Sequence, residues 1–200
     1  MPKLTLDDIS DVRAYERERE DFRGDVIELK RRRRVALGEF VTLLFENRQT
    51  IRFQIQEMAR VEKLVSDAAI ETELRIYNPL IPEPGQLCAT LFIELTSKDA
   101  LMEWLPKLVD IERSVNLRLS DGDHGDVIPA VVDEDHERQL TRDEITASVH
   151  YVRWELTPGQ VERFVAGPVA MVVDHPAYPT ETVLGDETLA ELRHDLQHGG

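Results

Sequence analysis

Residues 30–58 read KRRRRVALGEFVTLLFENRQTIRFQIQEM and join a run of cations to two segments rich in apolar residues. Within residues 51–56, apolar and polar side chains alternate with the two-residue period of a β-strand. Asn47 lies between the two apolar segments, and asparagine tolerates the left-handed conformation that tight turns need. The pattern therefore predicts a β-hairpin whose strands are residues 34–46 and 49–56.

The polar side of the second predicted strand carries guanidinium and amide groups. Arg52, Gln54 and Gln56 would project together from that strand, and Glu57 follows directly. Such groups hold anions and orient them by hydrogen bonds, but they do not readily catalyse reactions. This strand face is a candidate binding surface, and an ordinary solvent-exposed face is the alternative.

A long helix is predicted before the hairpin, at about residues 11–33, from apolar residues at helical spacing. Acidic residues near its start and cations at its end complement the helix dipole. Consecutive arginines exceed what the dipole needs, so Arg32, Arg33 and Arg34 are candidate contacts for a partner protein or an anion. Dipole compensation alone is the alternative explanation.

The rest of the chain alternates strand-like and helix-like patterns without repeats or a long linker. The charged segment at about residues 133–144 is predicted to be a flexible loop, and residues 186–196 to form a C-terminal helix. We expect a single α+β domain over residues 1–200. It would contain a mixed, largely antiparallel sheet, the long N-terminal helix and several packing helices.

Composition excludes several classes of function. The net charge is −15, and most of the acidic excess follows residue 60, so phosphate backbones would be repelled and nucleic-acid binding is not expected. The absence of a long apolar segment predicts a cytoplasmic protein without membrane spans. Cys88 is the single cysteine, which excludes an internal disulfide. Its apolar strand context predicts a buried, unreactive thiol.

Histidine and carboxylate residues give a weaker signal. His150 shares a predicted strand face with apolar residues, so it is either a hydrogen-bonded core histidine or a base or ligand. A metal site could combine Glu57, Glu94, His150 and His175, but no two of them have a recognised ligand spacing. The sequence therefore predicts no catalytic residue, metal or other cofactor.

One known family has segments similar to this chain in the same order over nearly its whole length. The chain resembles the uncharacterised bacterial family named domain of unknown function 3501 in residues 30–35, 42–48, 51–58, 89–94, 149–153 and 174–178. That family has no established activity, cofactor or catalytic residue. Its genes lie near those for rubrerythrin-like and iron–sulfur oxidoreductase proteins, so the resemblance implies a redox-stress setting.

Three functional hypotheses follow. The first is a non-catalytic accessory or regulatory protein that binds a partner, with redox proteins as candidates, through Arg31–Arg34 and the polar strand face. The second is an enzyme or sensor that binds a small anionic ligand through Arg52, Gln54 and Gln56. In that hypothesis, His150 or Glu57 would transfer protons. The third is an iron- or other metal-binding protein. A homodimer formed through Ile27 on the first helix is a separate expectation.

Overall fold

The computed structural model describes residues 2–119, 125–132 and 145–200. The loop predicted at residues 133–144 lies outside the described residues. Six α-helices are described: α1 (Val12–Arg32), α2 (Arg48–Glu62), α3 (Asp67–Tyr77), α4 (Lys98–Trp104), α5 (Pro158–Ala166) and α6 (Asp186–His198). Short 3-10 helices cover Leu6–Asp8, Asn78–Leu80 and Ile111–Ser114.

The strands form two antiparallel sheets. They are β1 (Arg34–Leu37), β2 (Val41–Phe45), β3 (Gln86–Ile93), β4 (Val115–Leu119), β5 (Asp126–Ile128), β6 (Val131–Val132), β7 (Val149–Glu155), β8 (Val169–Val173) and β9 (Thr180–Val183). The five-stranded sheet has the order β1-β2-β3-β7-β6, and the four-stranded sheet has the order β5-β4-β8-β9. The predicted α+β class is confirmed, with the strands divided between two sheets.

The main core lies between the two sheets. Apolar side chains from the inner face of the five-stranded sheet, such as Leu43 and Leu91, pack with Leu117 and Met171 of the four-stranded sheet. Trp154 is completely buried there, and its indole N–H donates to the carbonyl of Val115 at 3.1 Å. Because side chains alternate along a strand, the remaining residues of the five-stranded sheet point to its outer face, away from this core.

The prediction of a strand at residues 49–56 is wrong, because these residues belong to α2. The side chain of Asn47 caps this helix by accepting hydrogen bonds from the backbone N–H groups of Gln49 and Thr50. Ile51 and Ile55 are buried on one side of α2. Residues four positions apart share a face in both a strand and a helix, so the spacing of Ile51 and Ile55 did not distinguish the two structures. The capping box formed by Asn47 and Thr50 favoured the helix.

The hairpin lies one segment earlier, between β1 and β2. Gly38 makes the turn with a φ of +73°. The hydroxyl of Tyr178 fills the space beside this glycine and donates to the carbonyl of Leu37 at 2.8 Å. The predicted single strand at residues 34–46 is therefore two short antiparallel strands.

The outer face of the five-stranded sheet is covered by the N-terminal helices. A second apolar cluster lies there, comprising Leu4, Ile51, Ile55, Leu74, Leu80 and Ile81. Tyr151 from β7 packs against it. Among the described residues, no helix is both long and apolar enough to cross a membrane. A cleft lies between this sheet face and the helices.

Candidate functional site

The basic run at the end of α1 attaches that helix to α6 and to the five-stranded sheet. Arg31 pairs with Glu28 at 3.0 Å and with Glu187 at 3.1 Å. Arg32 pairs with Glu191 at 2.8 Å, and Arg34 pairs with Glu94. Each guanidinium group therefore already has a carboxylate partner within the chain.

Arg33 is the most buried residue of that run, with a side chain that has no exposed surface. Its guanidinium group donates to the carbonyl oxygens of Phe45 at 2.9 Å and Glu46 at 3.1 Å. It also pairs with Asp195 and, at 3.2 Å, with Glu191. A residue held in this way cannot reach a partner protein while the chain is folded, so Arg33 is structural.

The structure separates the polar side chains that were predicted to share one strand face. Residues two positions apart in a helix point to nearly opposite sides of it, so Gln54 faces away from Arg52 and Gln56. Gln56 is buried, and its amide bonds both backbone groups of Ser10. Arg52 donates to the carbonyl of Asp8 at 2.7 Å. These three residues do not form the predicted binding surface.

Glu57 belongs to a cluster that joins α2 to α1. It accepts hydrogen bonds from Arg19 at 2.7 Å, from the hydroxyl of Tyr15 at 2.7 Å, and from Arg60 at 3.1 Å. The Arg19 guanidinium, with smaller help from the other two donors, lowers the pKa of Glu57 to about 2. Glu57 is therefore an ionised structural contact.

His150 points into the core, as its strand pattern predicted. Its Nε2 lies 2.8 Å from the hydroxyl of Thr146 and 2.9 Å from the carbonyl of Ala147. Its Nδ1 lies 3.7 Å from the buried carboxylate of Glu112. The ring therefore lies among these groups inside the protein.

The four residues considered for a metal site are held apart by different partners. Glu94 pairs with Arg34, while Nε2 of His175 lies 3.0 Å from the carbonyl of Val109. Within residues 2–119, 125–132 and 145–200, no three His, Cys, Asp or Glu side chains form a group able to hold a metal ion. The four side chains do not assemble into one site.

A cleft of about 220 Å³ lies between the outer face of the five-stranded sheet and helices α1, α2 and α3. We call it the sheet–helix cleft. Its polar lining consists of Lys30, Glu46, Gln54, Tyr77, Thr90 and Tyr151. Its apolar lining consists of Leu44, Ile51, Leu80, Phe92 and Val149. An apolar wall with a few convergent polar groups is the usual form of a small-molecule site.

The two charged residues of the cleft have no oppositely charged partner in the part of the chain that the structure describes. Lys30 lies in the last turn of α1, half-buried, with its ammonium group 5.2 Å from the ring centroid of Phe53. Glu46 follows β2 and is only 6% exposed. Its carboxylate accepts hydrogen bonds from the hydroxyl groups of Thr50 and, at 2.6 Å, Thr90.

Two tyrosines complete the polar lining. Burial, with the nearby Tyr77 and Glu46 adding to it, raises the pKa of Tyr151 to about 12. Burial also raises the pKa of Tyr77, although a hydrogen bond from Gln54 opposes the rise. Both phenols therefore stay protonated at neutral pH. The cleft offers one cation, one anion and neutral groups that can donate or accept hydrogen bonds.

Of the residues predicted as binding residues, only Gln54 lines this cleft. Sequence reasoning missed Lys30, Glu46 and Thr90 because only the tertiary fold brings these residues together. A usable signal existed in β3, where Thr90 interrupts an otherwise apolar strand. A polar residue on a buried strand face needs a hydrogen-bond partner, and here that partner is Glu46.

A second groove, of about 300 Å³, contains Arg48 and Arg52 together with Phe22. Arg48 pairs with Asp8 at 2.6 Å, and the guanidinium of Arg52 lies 4.9 Å from the ring centroid of Phe22. Because both guanidinium groups already hold contacts within the chain, this groove offers less to a ligand than the sheet–helix cleft.

Comparison with known proteins identifies relatives without a known function. A crystal structure of a novel protein of unknown function from Burkholderia pseudomallei K96243 is similar to this chain, with 36% sequence identity and a TM-score of 0.89. The match covers 98% of this chain and 100% of that one. No curated protein matches. The family model described as protein of unknown function (DUF3501) matches residues 3–196, so the predicted family is confirmed and the chain belongs to the DUF3501 family.

Proposed function

We propose that this protein binds a small anionic metabolite in the sheet–helix cleft and acts as a sensor or accessory protein. The observation that carries the proposal is Lys30, an ammonium group on the cleft wall without a carboxylate partner among the described residues. A ligand carboxylate or phosphate would supply the missing negative charge. The volume of about 220 Å³ suits a metabolite smaller than a nucleotide.

The polar groups around Lys30 support this use of the cleft. Gln54 and Tyr77 both line the cleft, so its helix side presents two neighbouring polar groups. Phe92 and Leu80 provide apolar surface for the body of a ligand. A site on helices and strands holds its side chains in fixed positions, which favours selective binding.

Thermal melting with a panel of small carboxylates and phosphates tests the proposal. A ligand at 100 times its dissociation constant adds about 2.7 kcal/mol to the free energy of unfolding and so raises Tm. Lys30→Met should weaken binding about tenfold or more, the effect of losing about 1.4 kcal/mol or more of charge-assisted bonding. Lys98→Met, at the exposed start of α4, is the matched control. Equal binding by both variants would reject Lys30 as the anion contact.

We do not extend the proposal to a partner surface at Arg31–Arg34. The structure gives each of these arginines a carboxylate partner within the chain, so a partner protein would have to displace a carboxylate that is already bound. The accessory role therefore rests on the ligand in the cleft and not on the basic run.

We also propose a bacterial, cytoplasmic setting connected with redox stress. Its support is the resemblance to the DUF3501 family, together with the related protein from Burkholderia. Transcript levels of the gene in a bacterium that encodes it, before and after peroxide exposure, test this part. Unchanged transcript levels would remove redox stress from the proposal and leave ligand binding intact.

A further inference from the structure

We infer that the ligand of the sheet–helix cleft is an amphoteric amine, a small molecule with both an anionic group and an ammonium group. This inference rests on the proposed function, because it concerns the same cleft. Lys30 would hold the anionic group, and Glu46 would hold the ammonium group. An α-amino acid, an ω-amino acid or a derivative of either has this chemistry.

Glu46 is a buried carboxylate. Its side chain lines the cleft, and the residue is only 6% exposed. Thr50 and Thr90 each donate a hydroxyl hydrogen bond to one of its two oxygens. A buried carboxylate is normally also paired with a cation, because hydroxyl groups replace only part of the solvation by water.

The described residues provide no such cation. Arg33 is close, but it donates to the backbone carbonyl of Glu46 and gives its ion pairs to Asp195 and Glu191. Lys30 lines the same cleft without forming an ion pair with Glu46 within 4.0 Å. The cleft therefore holds two separated charges of opposite sign, and one amphoteric ligand can neutralise both.

A metal ion would satisfy Glu46 less well than an ammonium group. Among the described residues that line the cleft, Glu46 is the only carboxylate. Calcium takes six to eight oxygen ligands, and magnesium demands octahedral geometry. An ammonium group needs only a few acceptors, and the polar lining of the cleft includes the oxygens of Glu46, Tyr77 and Tyr151.

Ligand-observed NMR on the purified full chain tests the inference. The probes are α-amino acids and ω-amino acids of increasing length, each with its matched carboxylate and matched amine. We expect an amino acid to bind at least about tenfold more tightly than its matched carboxylate, as one charge-assisted hydrogen bond allows. This preference is measured on the wild-type protein and needs no variant to fold.

Glu46→Gln then locates the origin of the preference. The amide has nearly the same shape and can still bond the hydroxyl groups of Thr50 and Thr90, while the negative charge is removed. We expect this variant to bind the amino acid and its matched carboxylate equally. Glu103→Gln, on the exposed side of α4, is the matched control and should keep the preference.

Three results would contradict the inference, and they can be told apart. If a matched carboxylate binds the wild-type protein as tightly as the amino acid, the amphoteric ligand is rejected while the anion site stands. If the preference survives Glu46→Gln, Glu46 is not the ammonium contact and the inference fails. If no probe binds, the proposed function fails together with the inference.

Discussion

The basic end of α1 and the sheet–helix cleft are adjacent, yet their charges are used in opposite ways. Arg31–Arg34 each pair with a carboxylate of the same chain, and Arg33 is completely buried. Lys30 directly precedes this run and has no carboxylate partner among the described residues. Glu46 is buried, and the described part of the chain gives its carboxylate no cationic partner. A dense charge run can thus be structural, while isolated charges facing a cleft identify the better candidate site.

The largest expected effect comes from breaking the buried end of the basic run. Arg33→Met would remove the arginine partner of the buried Asp195 carboxylate and the guanidinium that donates to two backbone carbonyls. Removing one partner of a buried ion pair costs about 3–5 kcal/mol. Urea denaturation should show this loss in the free energy of unfolding.

Arg31→Met is the matched control for this prediction. The side chain of Arg31 is 58% exposed, and its ion pairs are on the surface. Such pairs contribute about 0–1 kcal/mol. If the two variants lose similar stability, burial does not make the ion pairs of Arg33 more stabilising than the exposed pairs of Arg31.

The second prediction compares two buried acids, one in each region. Asp195→Asn removes the charge that Arg33 pairs with, so we expect a loss of about 1–3 kcal/mol. Glu46→Gln removes a charge without a cationic partner, so we expect an unchanged stability or a gain of up to about 1 kcal/mol. Chemical denaturation without ligand measures both. A loss for Glu46→Gln as large as that for Asp195→Asn would contradict the idea that Glu46 is uncompensated.

The third prediction uses pH to test the structural cluster around Glu57. The folded state lowers the pKa of Glu57 to about 2 from its ordinary value of 4.5. Its stabilising contribution is therefore fully present above about pH 4.5 and disappears as the pH falls towards 2. Because Glu57 is partly exposed to solvent, we expect about 1–2 kcal/mol.

Denaturation curves between about pH 2 and 6 should be less pH-dependent for Glu57→Gln than for the wild-type protein. Glu62→Gln, at the exposed end of the same helix, is the control and should keep the wild-type dependence. An identical pH profile for all three proteins would show that the bonds from Arg19 and Tyr15 do not hold Glu57 ionised.

The sequence predicted the elements that have strong local signals. The prediction failed where one apolar spacing fits both the period of a strand and the period of a helix. The long helix and the buried β3 strand follow from apolar spacing, caps and β-rich composition. Ile51 and Ile55 fit both a strand and a helix, so α2 was misassigned. Because of that error, Arg52 and Gln56 were assigned to a strand face, whereas both residues lie on α2.

The cleft was harder to predict because it depends on long-range contacts. Glu46 and Thr90 are 44 residues apart in sequence, and adjacent strands bring them together. The pairing of Arg32 and Arg33 depends on Glu191 of α6, which follows more than 150 residues later. Local patterns show which side chains are charged, but only the tertiary fold shows which of them are paired.

The smallest expected effect concerns Cys88, which shares the outer sheet face with Thr90 but does not line the cleft. Cys88 is 2% exposed, and burial raises the pKa of its thiol to about 12. The thiolate is the reactive form, so native labelling at neutral pH should be slow. Cys88→Ala should cost about 1 kcal/mol of stability from the lost packing and leave ligand binding unchanged.

A thiol-reactive chromogenic reagent, added to native and to urea-denatured protein, measures this accessibility. The space beside Cys88, which is also lined by Tyr151, is only about 30 Å³, so a reagent cannot enter it without an opening motion. Labelling should therefore be rapid only in the denatured sample. Rapid native labelling, slowed by a ligand that fills the sheet–helix cleft, would mean that the thiol is reached through the cleft. Cys88 would then be a residue of the binding site and not a purely structural one.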